Sequence, residues 1–237
     1  EAEDAFRLQD VGIPSASDYQ GVALGDATDD IYLYLSRDKQ QGQLYRWKSR
    51  RAVMVDLADL ERPGSEAGAG WADYGSDGDL DLFVSRVGLP DLLYVNDNGE
   101  FSERANLLGV DDSGSGQGVS WVDYDQDGYV DLYVARFGQP NLLYAGQVGS
   151  EPFVEKATEV GLDDPGPSTG GAWGDFDADG DLDLYVVDHK RADHLYRQVD
   201  GAFEGSNLAG DDGAGVGATW VYWDNDGDLD LSLARYG

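Results

Sequence analysis

Apolar and polar residues alternate along this chain in short runs, and the runs are punctuated by Gly, Pro, Asn and Asp. A period of two puts successive side chains on opposite faces of a pleated strand, and no helix is needed to account for the pattern. Over one stretch it predicts four strands, at residues 119–123, 130–136, 142–145 and 153–157. They are rich in the aromatic and β-branched residues that suit a half-buried pleated surface. Elsewhere Asn98-Gly99 and Asp200-Gly201 fall between third and fourth strands, and both dipeptides tolerate the positive φ that a two-residue hairpin turn demands. Fourth strands then leave through Gly-x-Asp-Asp segments at 109–112 and 161–164.

The same plan recurs. Ungapped copies start at Trp71 (WADYGSDGDLDLFVSR), Trp121 (WVDYDQDGYVDLYVAR), Trp173 (WGDFDADGDLDLYVVD) and Trp220 (WVYWDNDGDLDLSLAR), with a weaker one at Val22 (VALGDATDDIYLYLSR). Thr28, Asp77, Asp127, Asp179 and Asp226 hold the same place in the five copies, so the spacings are 49, 50, 52 and 47 residues. Repeats of about 40–50 residues with four short strands each are those of propeller blades. The expected fold is therefore all-β, a single β-propeller domain over 1–237 with five blades of antiparallel strands. The blade units fall at about 21–68, 69–116, 117–169, 170–215 and 216–237, the last completed by a strand-four-like segment at 5–12. Joining the two ends would leave a last spacing of 39 residues, shorter than the others. Either the closing blade has three strands clasped by the N-terminal segment, or the chain is cut from a longer propeller.

The turn between strands one and two carries the chemistry. In the third copy Asp123, Asp125, Asp127 and Asp131 stand at loop positions 1, 3, 5 and 9, with Gly128 at position 6. Calcium takes six to eight oxygens at about 2.3–2.6 Å, and a tight loop with Gly at its sharp turn aims alternate side chains inward. The carbonyl of Tyr129 at position 7 would add another oxygen. Asp175, Asp177, Asp179, the Asp181 carbonyl and Asp183 repeat the set in full. Position 12 is Val134 or Val186 rather than Glu, and the flanks are strands, so the loop is not an EF-hand. Asp-Gly turns alone do not require Asp at positions 1, 3, 5 and 9.

These features, with the Gly-x-x-Trp-x-Asp of strand one and the run from Ala135 to Tyr144, resemble FG-GAP or VCBS repeats. Such repeats occur in integrin α-subunit propellers and in bacterial secreted proteins of the cartilage-acidic-protein type, and the resemblance covers nearly the whole chain. The departures grade the loops. The second copy has Gly75 at position 3, leaving Asp73, Asp77, Asp81 and the Asp79 carbonyl. The fifth has Tyr222 at position 1, leaving Asp224, Asp226, Asp230 and the Asp228 carbonyl. The first, with Leu24, Asp26, Thr28 and Tyr32, is expected to hold no ion. Two strong and two weaker Ca2+ sites follow. Packed carboxylates repel one another until a cation neutralises them, so the ions are expected to staple the loops. Extracellular calcium modules bind at about 10⁻⁴–10⁻³ M and would stand empty in a resting cytosol, which implies a secreted, cell-surface or periplasmic setting.

Charge narrows the partners. Sixteen Lys and Arg against 47 Asp and Glu give a formal net charge of −31, which repels nucleic acid. No apolar run approaches about 18 residues and no hydrophobic leader begins at Glu1, so neither a membrane span nor an uncleaved signal peptide is expected. With no Cys there are no disulfides, thiolate zinc sites or cysteine nucleophiles. At the far ends of the second strands Arg37, Arg86, Arg136 and Arg235 recur, beside paired aspartates at 111–112, 163–164 and 211–212, and the fourth copy has Asp188 followed by His189, Lys190 and Arg191. In an antiparallel blade that end lies opposite the Asp loops and the Asn-Gly turns. Two functions fit. One is a non-catalytic module that recognises a protein or glycan through this opposite face. The other is a propeller enzyme, a polysaccharide lyase or a small-molecule cyclase or isomerase, with acid–base residues such as His189 or His194 beside Asp193.

Overall fold

The computed structural model describes residues 19–26, 31–37, 42–48, 51–55, 57, 65–149, 151–207, 215–224 and 226–235. The first sheet comprises β1 (Tyr19–Asp26), β2 (Ile31–Arg37), β3 (Gln43–Lys48) and β4 (Arg51–Val55). The second comprises β5 (Ser65–Ala72), β6 (Asp81–Val87), β7 (Leu92–Asp97) and β8 (Glu100–Glu103). Helix α1 (Ala105–Leu108) leads to the third sheet: β9 (Gly116–Val122), β10 (Asp131–Arg136), β11 (Leu142–Ala145) and β12 (Val154–Glu155). Helix α2 (Ala157–Val160) leads to the fourth: β13 (Ser168–Gly174), β14 (Asp183–Asp188), β15 (His194–Val199) and β16 (Ala202–Asn207). The fifth sheet contains β17 (Gly215–Val221) and β18 (Asp230–Arg235). Strands pair antiparallel in sequence order throughout, as propeller blades do.

Why the second strand of a blade is apolar at nearly every position follows from where its two faces go. All of β10 and β14 is buried. Leu132 and Val134 turn toward Phe83 of the second sheet, while Tyr133 between them turns toward Leu184 and Val186 of the fourth. Each strand-one tryptophan closes the same interface from the other side. Trp121 meets Phe83 edge-on at 6.4 Å, Trp173 meets Tyr133 at 5.8 Å, and Trp220 meets Tyr185 at 6.4 Å. Trp71 stacks on Tyr32 at 5.5 Å. Aromatic pairs at such distances add to the burial that holds neighbouring sheets together.

The innermost strands pack in series, β1 on β5, β5 on β9, β9 on β13 and β13 on β17. Among the described residues β17 does not pack on β1 in this way, and the closing segment expected at 5–12 lies outside those residues. The turns follow the sequence. Asn98 and Gly99 have φ of 54° and 91°, and Asp200 and Gly201 have 50° and 80°, the positive values of a two-residue hairpin turn. The all-strand expectation needs one correction, because α1 and α2 are single helical turns after the fourth strands. Each ends on a left-handed glycine, Gly109 or Gly161, after burying Leu108 or Val160. One turn is too short to display a helical period.

At the inner strands the backbones approach so closely that a side chain has no room. A Cβ on Gly118 would lie 2.6 Å from Gly170 Cα, whereas one on Gly217 meets nothing within 4 Å. Gly118→Ala is therefore expected to destabilise the protein by about 1–3 kcal/mol in urea unfolding, and Gly217→Ala to change it by less than about 1 kcal/mol. Equal effects would show that this backbone contact does not limit packing.

Candidate metal centre

Each Asp loop is first held by its own backbone. The position-1 carboxylates accept from the N–H groups of positions 5 and 6: Asp73 from Asp77 and Gly78, Asp123 from Asp127 and Gly128, Asp175 from Asp179 and Gly180, all at 2.9–3.1 Å. The position-5 carboxylates of Asp77, Asp127, Asp179 and Asp226 accept from the N–H of Asp79, Tyr129, Asp181 and Asp228 two residues on. This wrapping requires positive φ at position 6, where Gly78, Gly128, Gly180 and Gly227 have 91–106°. Position 4 is left-handed too, at Ser76, Gln126 and Ala178 with φ of 54–58°, which the residue types did not announce.

Position 9 does something different. Asp81, Asp131 and Asp183 are at most 2% exposed. One oxygen of each accepts from the third strand or the residue just past it, from Asn96, Gly146 or Gln198 N–H at 2.8–2.9 Å. The other accepts from position 2, from Tyr74, Tyr124 or Phe176 N–H at 2.9–3.1 Å. Burial pushes the Asp81 and Asp131 carboxyls up to about 7, with the other loop carboxylates adding to the effect and the N–H donors opposing it. Asp183 is raised for the same first reason.

The loops differ in what they gather. Asp123, Asp125 and Asp127 bring carboxylate oxygens within 4.8 Å of one another, and so do Asp175, Asp177 and Asp183. Two oxygens that far apart can both reach one ion at about 2.4 Å, and an all-oxygen donor set of this charge fits calcium. Asp73, Asp77 and Asp81 of the second loop do not form such a group among the described residues. A Cβ on Gly75 would lie 3.6 Å from the Asp77 carboxylate, so the loop lacks its third carboxylate at a place that faces the others. In the fifth loop Tyr222 is exposed at position 1, and the Asp226 N–H turns to Asp224 instead. Asp230 keeps its bond from Trp223 N–H at 2.8 Å. In the first copy Leu24 and Tyr32 lie on strands, and Thr28 falls outside the described residues.

A family model for the FG-GAP-like repeat matches residues 73–134 and 175–232, which together make up half of the chain and contain four of these loops. The chain belongs to the FG-GAP-like repeat family. No curated protein matches it. Among solved structures it is similar to that of a protein described as an oxidoreductase (glucose dehydrogenase) from Thermus thermophilus. That likeness has a TM-score of 0.44 at 15% identity and covers 83% of this chain and 73% of the other.

At the opposite end of this FG-GAP-like propeller the recurring arginines are tied down from within. Arg86 donates to the Pro90 carbonyl. Arg136, 9% exposed, donates to the Pro140 carbonyl and pairs with Asp112 at 2.8 Å. In the fourth blade the charges are permuted. Asp188 is buried where the others have arginine, and Arg191 bridges it at 2.9 Å to Asp164. His194 Nδ1 lies 3.1 Å from the same Asp188 carboxylate. His194 thus faces Asp188 rather than Asp193, whose carboxylate accepts from Tyr185 Oη and Asp188 N–H. His189 lies apart, against the Phe137 ring at 6.0 Å. Asp164, Asp188 and His194 could themselves ligate a metal, but the Arg191 guanidinium already sits among them. Lys190 adopts φ of 58° in the turn beside them, and Arg37 and Arg235 end β2 and β18.

The second and third blades make one tie with different charge. Asp91 accepts from Arg86 N–H at 2.7 Å, and Asn141 accepts from Arg136 N–H at 2.8 Å. Burial pushes the Asp91 carboxyl up to about 8. A carboxyl whose pKa rises on folding favours the fold while protonated, and that contribution is lost as pH rises from about 4 to about 8. Asp91→Asn should therefore be more stable than the parent above pH 8, with the difference shrinking toward pH 4 in urea unfolding. A difference that grows on acidification would refute this account.

Proposed function

We propose that this chain is a calcium-stabilised extracellular binding module, recognising a protein or glycan across the propeller face opposite its Asp loops. The observation that carries the calcium half is the convergence of three carboxylates within 4.8 Å in each of the two loops with complete ligand sets. Asp123, Asp125 and Asp127 with the Tyr129 carbonyl and Asp131 would hold one ion, and Asp175, Asp177, Asp179, Asp183 and the Asp181 carbonyl another. The second and fifth loops, lacking one carboxylate each, would bind more weakly. The ion supplies the countercharge that packed carboxylates lack, and millimolar affinities of this kind suit an extracellular setting.

The binding half rests on the other end of the blades. Val87, Phe137 and His189 directly follow the tied residues Arg86, Arg136 and Asp188, and the first two are 39% and 45% exposed. A row of apolar and aromatic tips on rigid supports suits recognition of a partner surface. Nucleic acid and membrane insertion remain unfavoured partners for so acidic a chain, and among the described residues no helix is long and apolar enough to cross a membrane. The binding reading is preferred to the enzyme reading because the guanidinium of Arg191 pairs with the carboxylate that His194 would need as its acid–base partner. The reading keeps five blades, the fifth completed by residues 5–12.

Calorimetry with CaCl2 should find at least two sites in the tighter class and up to two weaker ones. Linkage at one hundred times Kd is worth about 2.7 kcal/mol per site, so a chelator should lower the melting temperature measurably. Asp127→Ala should remove one tight site. Fewer than two ions per chain in millimolar calcium, or a melt indifferent to chelator, would overturn the calcium reading. For the face, a glycan array and pulldown in calcium should lose their hits with Phe137→Asp while calcium binding is unchanged; hits that persist would place recognition elsewhere.

A further inference from the structure

The third and fourth loops carry the same aspartates at positions 1, 3, 5 and 9, yet their surroundings differ by one side chain. Arg197, on β15, reaches into the fourth loop, where its Nε pairs with Asp177 and its Nη2 lies 3.0 Å from Asp179. The corresponding residue is Ala145 on β11 and Val95 on β7, neither of which brings charge. The gathered carboxylates change accordingly. In the third loop the position-5 residue Asp127 belongs to the group of three, whereas in the fourth Asp179 is absent from it and the buried Asp183 takes its place. Hydrogen bonds from the Asp181 N–H and then from Arg197 hold the Asp179 carboxyl below its usual range. Arg46 of β3 has the same place in the first blade, where the loop lacks the position-1 and position-5 carboxylates, and its guanidinium lies over the Tyr32 ring at 6.0 Å instead.

We infer that Arg197 is a tethered cation that competes with calcium for the fourth loop. This rests on the calcium reading above and adds a ranking to it. A guanidinium in contact with two of the ligand carboxylates satisfies part of their charge without an ion, so the loop keeps its shape when calcium is absent. To bind calcium with its full oxygen set, the loop must release Asp177 and Asp179 from Arg197. The arginine side chain is half exposed, so it can swing into solvent without leaving a buried charge behind. Exposed ion pairs are individually weak, and the competition shifts the calcium equilibrium by about fivefold rather than abolishing binding. The third loop thus fills first, and the fourth responds to calcium at higher concentration.

The test is calcium calorimetry at low ionic strength on the parent, Arg197→Ala, Asp127→Ala and the double variant, with thermal melts in chelator. Asp127→Ala isolates the fourth loop by removing the third. Arg197→Ala is expected to tighten the fourth loop by about fivefold, to leave the third unchanged, and to lower the melting temperature in chelator, where the loop loses its built-in countercharge. Arg197→Lys should fall between the two. If the third loop binds calcium but Arg197→Ala leaves the fourth unaltered or weakens it, this inference fails while the calcium reading stands. Absence of calcium heat from both loops overturns both together.

Discussion

A carboxylate buried at the head of the second strand constrains everything around it. Asp81, Asp131 and Asp183 each join a loop N–H to an N–H in or just past the third strand, so one side chain holds three chain segments in register. Burying a carboxylate is costly, and two N–H donors offset only part of that cost. The exposed aspartates of the same loop then add negative potential over a group that burial already makes hard to ionise. A cation in the loop, as proposed, would resolve both problems at once. The first blade avoids them by a different route. Tyr32 occupies the place of the buried aspartate, stacks on Trp71, and leaves Leu24 free to replace the position-1 ligand.

The far ends of the same blades meet a similar electrostatic problem with cations that cannot leave. Arg136 ties the end of β10 to Asp112 on the connector from the preceding blade, and Arg191 ties the end of β14 to Asp164 on the next connector. The fourth blade exchanges the signs, with Asp188 in the strand and Arg191 in the turn, and keeps the tie. What the third and fourth blades share is therefore an arginine that ties the end of the second strand or its turn to a connector aspartate, not a particular residue at a particular position. Such partly buried, hydrogen-bonded pairs are costly to break because each partner would be left without its countercharge.

Much of this was legible in the sequence because the informative signals are local and repeated. The alternation of strands, the Asp and Gly positions of the loops, and the Asn98-Gly99 and Asp200-Gly201 turns are all written within a few residues. What the sequence does not display is non-local or too short. Arg197 lies 20 residues beyond Asp177, on another strand, and only aligning the third strands would have set it against Ala145 and Val95. The pairing of Arg191 with both Asp188 and Asp164 is not readable locally, since the connector aspartate is distant in sequence. Helices α1 and α2 are one turn each and carry no period. Ring closure depends on contacts between the two ends of the chain, which repeat spacing does not encode, and the segment expected to make them lies outside the described residues.

The division between removable and built-in cations has a consequence for the proposed binding face. Val87, Phe137 and His189 each follow directly on the strand-end residues Arg86, Arg136 and Asp188, whose partners are all protein groups. Their backbone is fixed without any ion. With calcium bound as proposed, its removal would relax the opposite ends of the blades first, where the carboxylates of the third loop have no guanidinium among the described residues and those of the fourth have Arg197. A contact surface built on the tied end would therefore keep its shape at calcium concentrations that leave the loops partly empty. On the proposed reading calcium would govern how long the module survives, and the composition of the tied face would govern what it recognises.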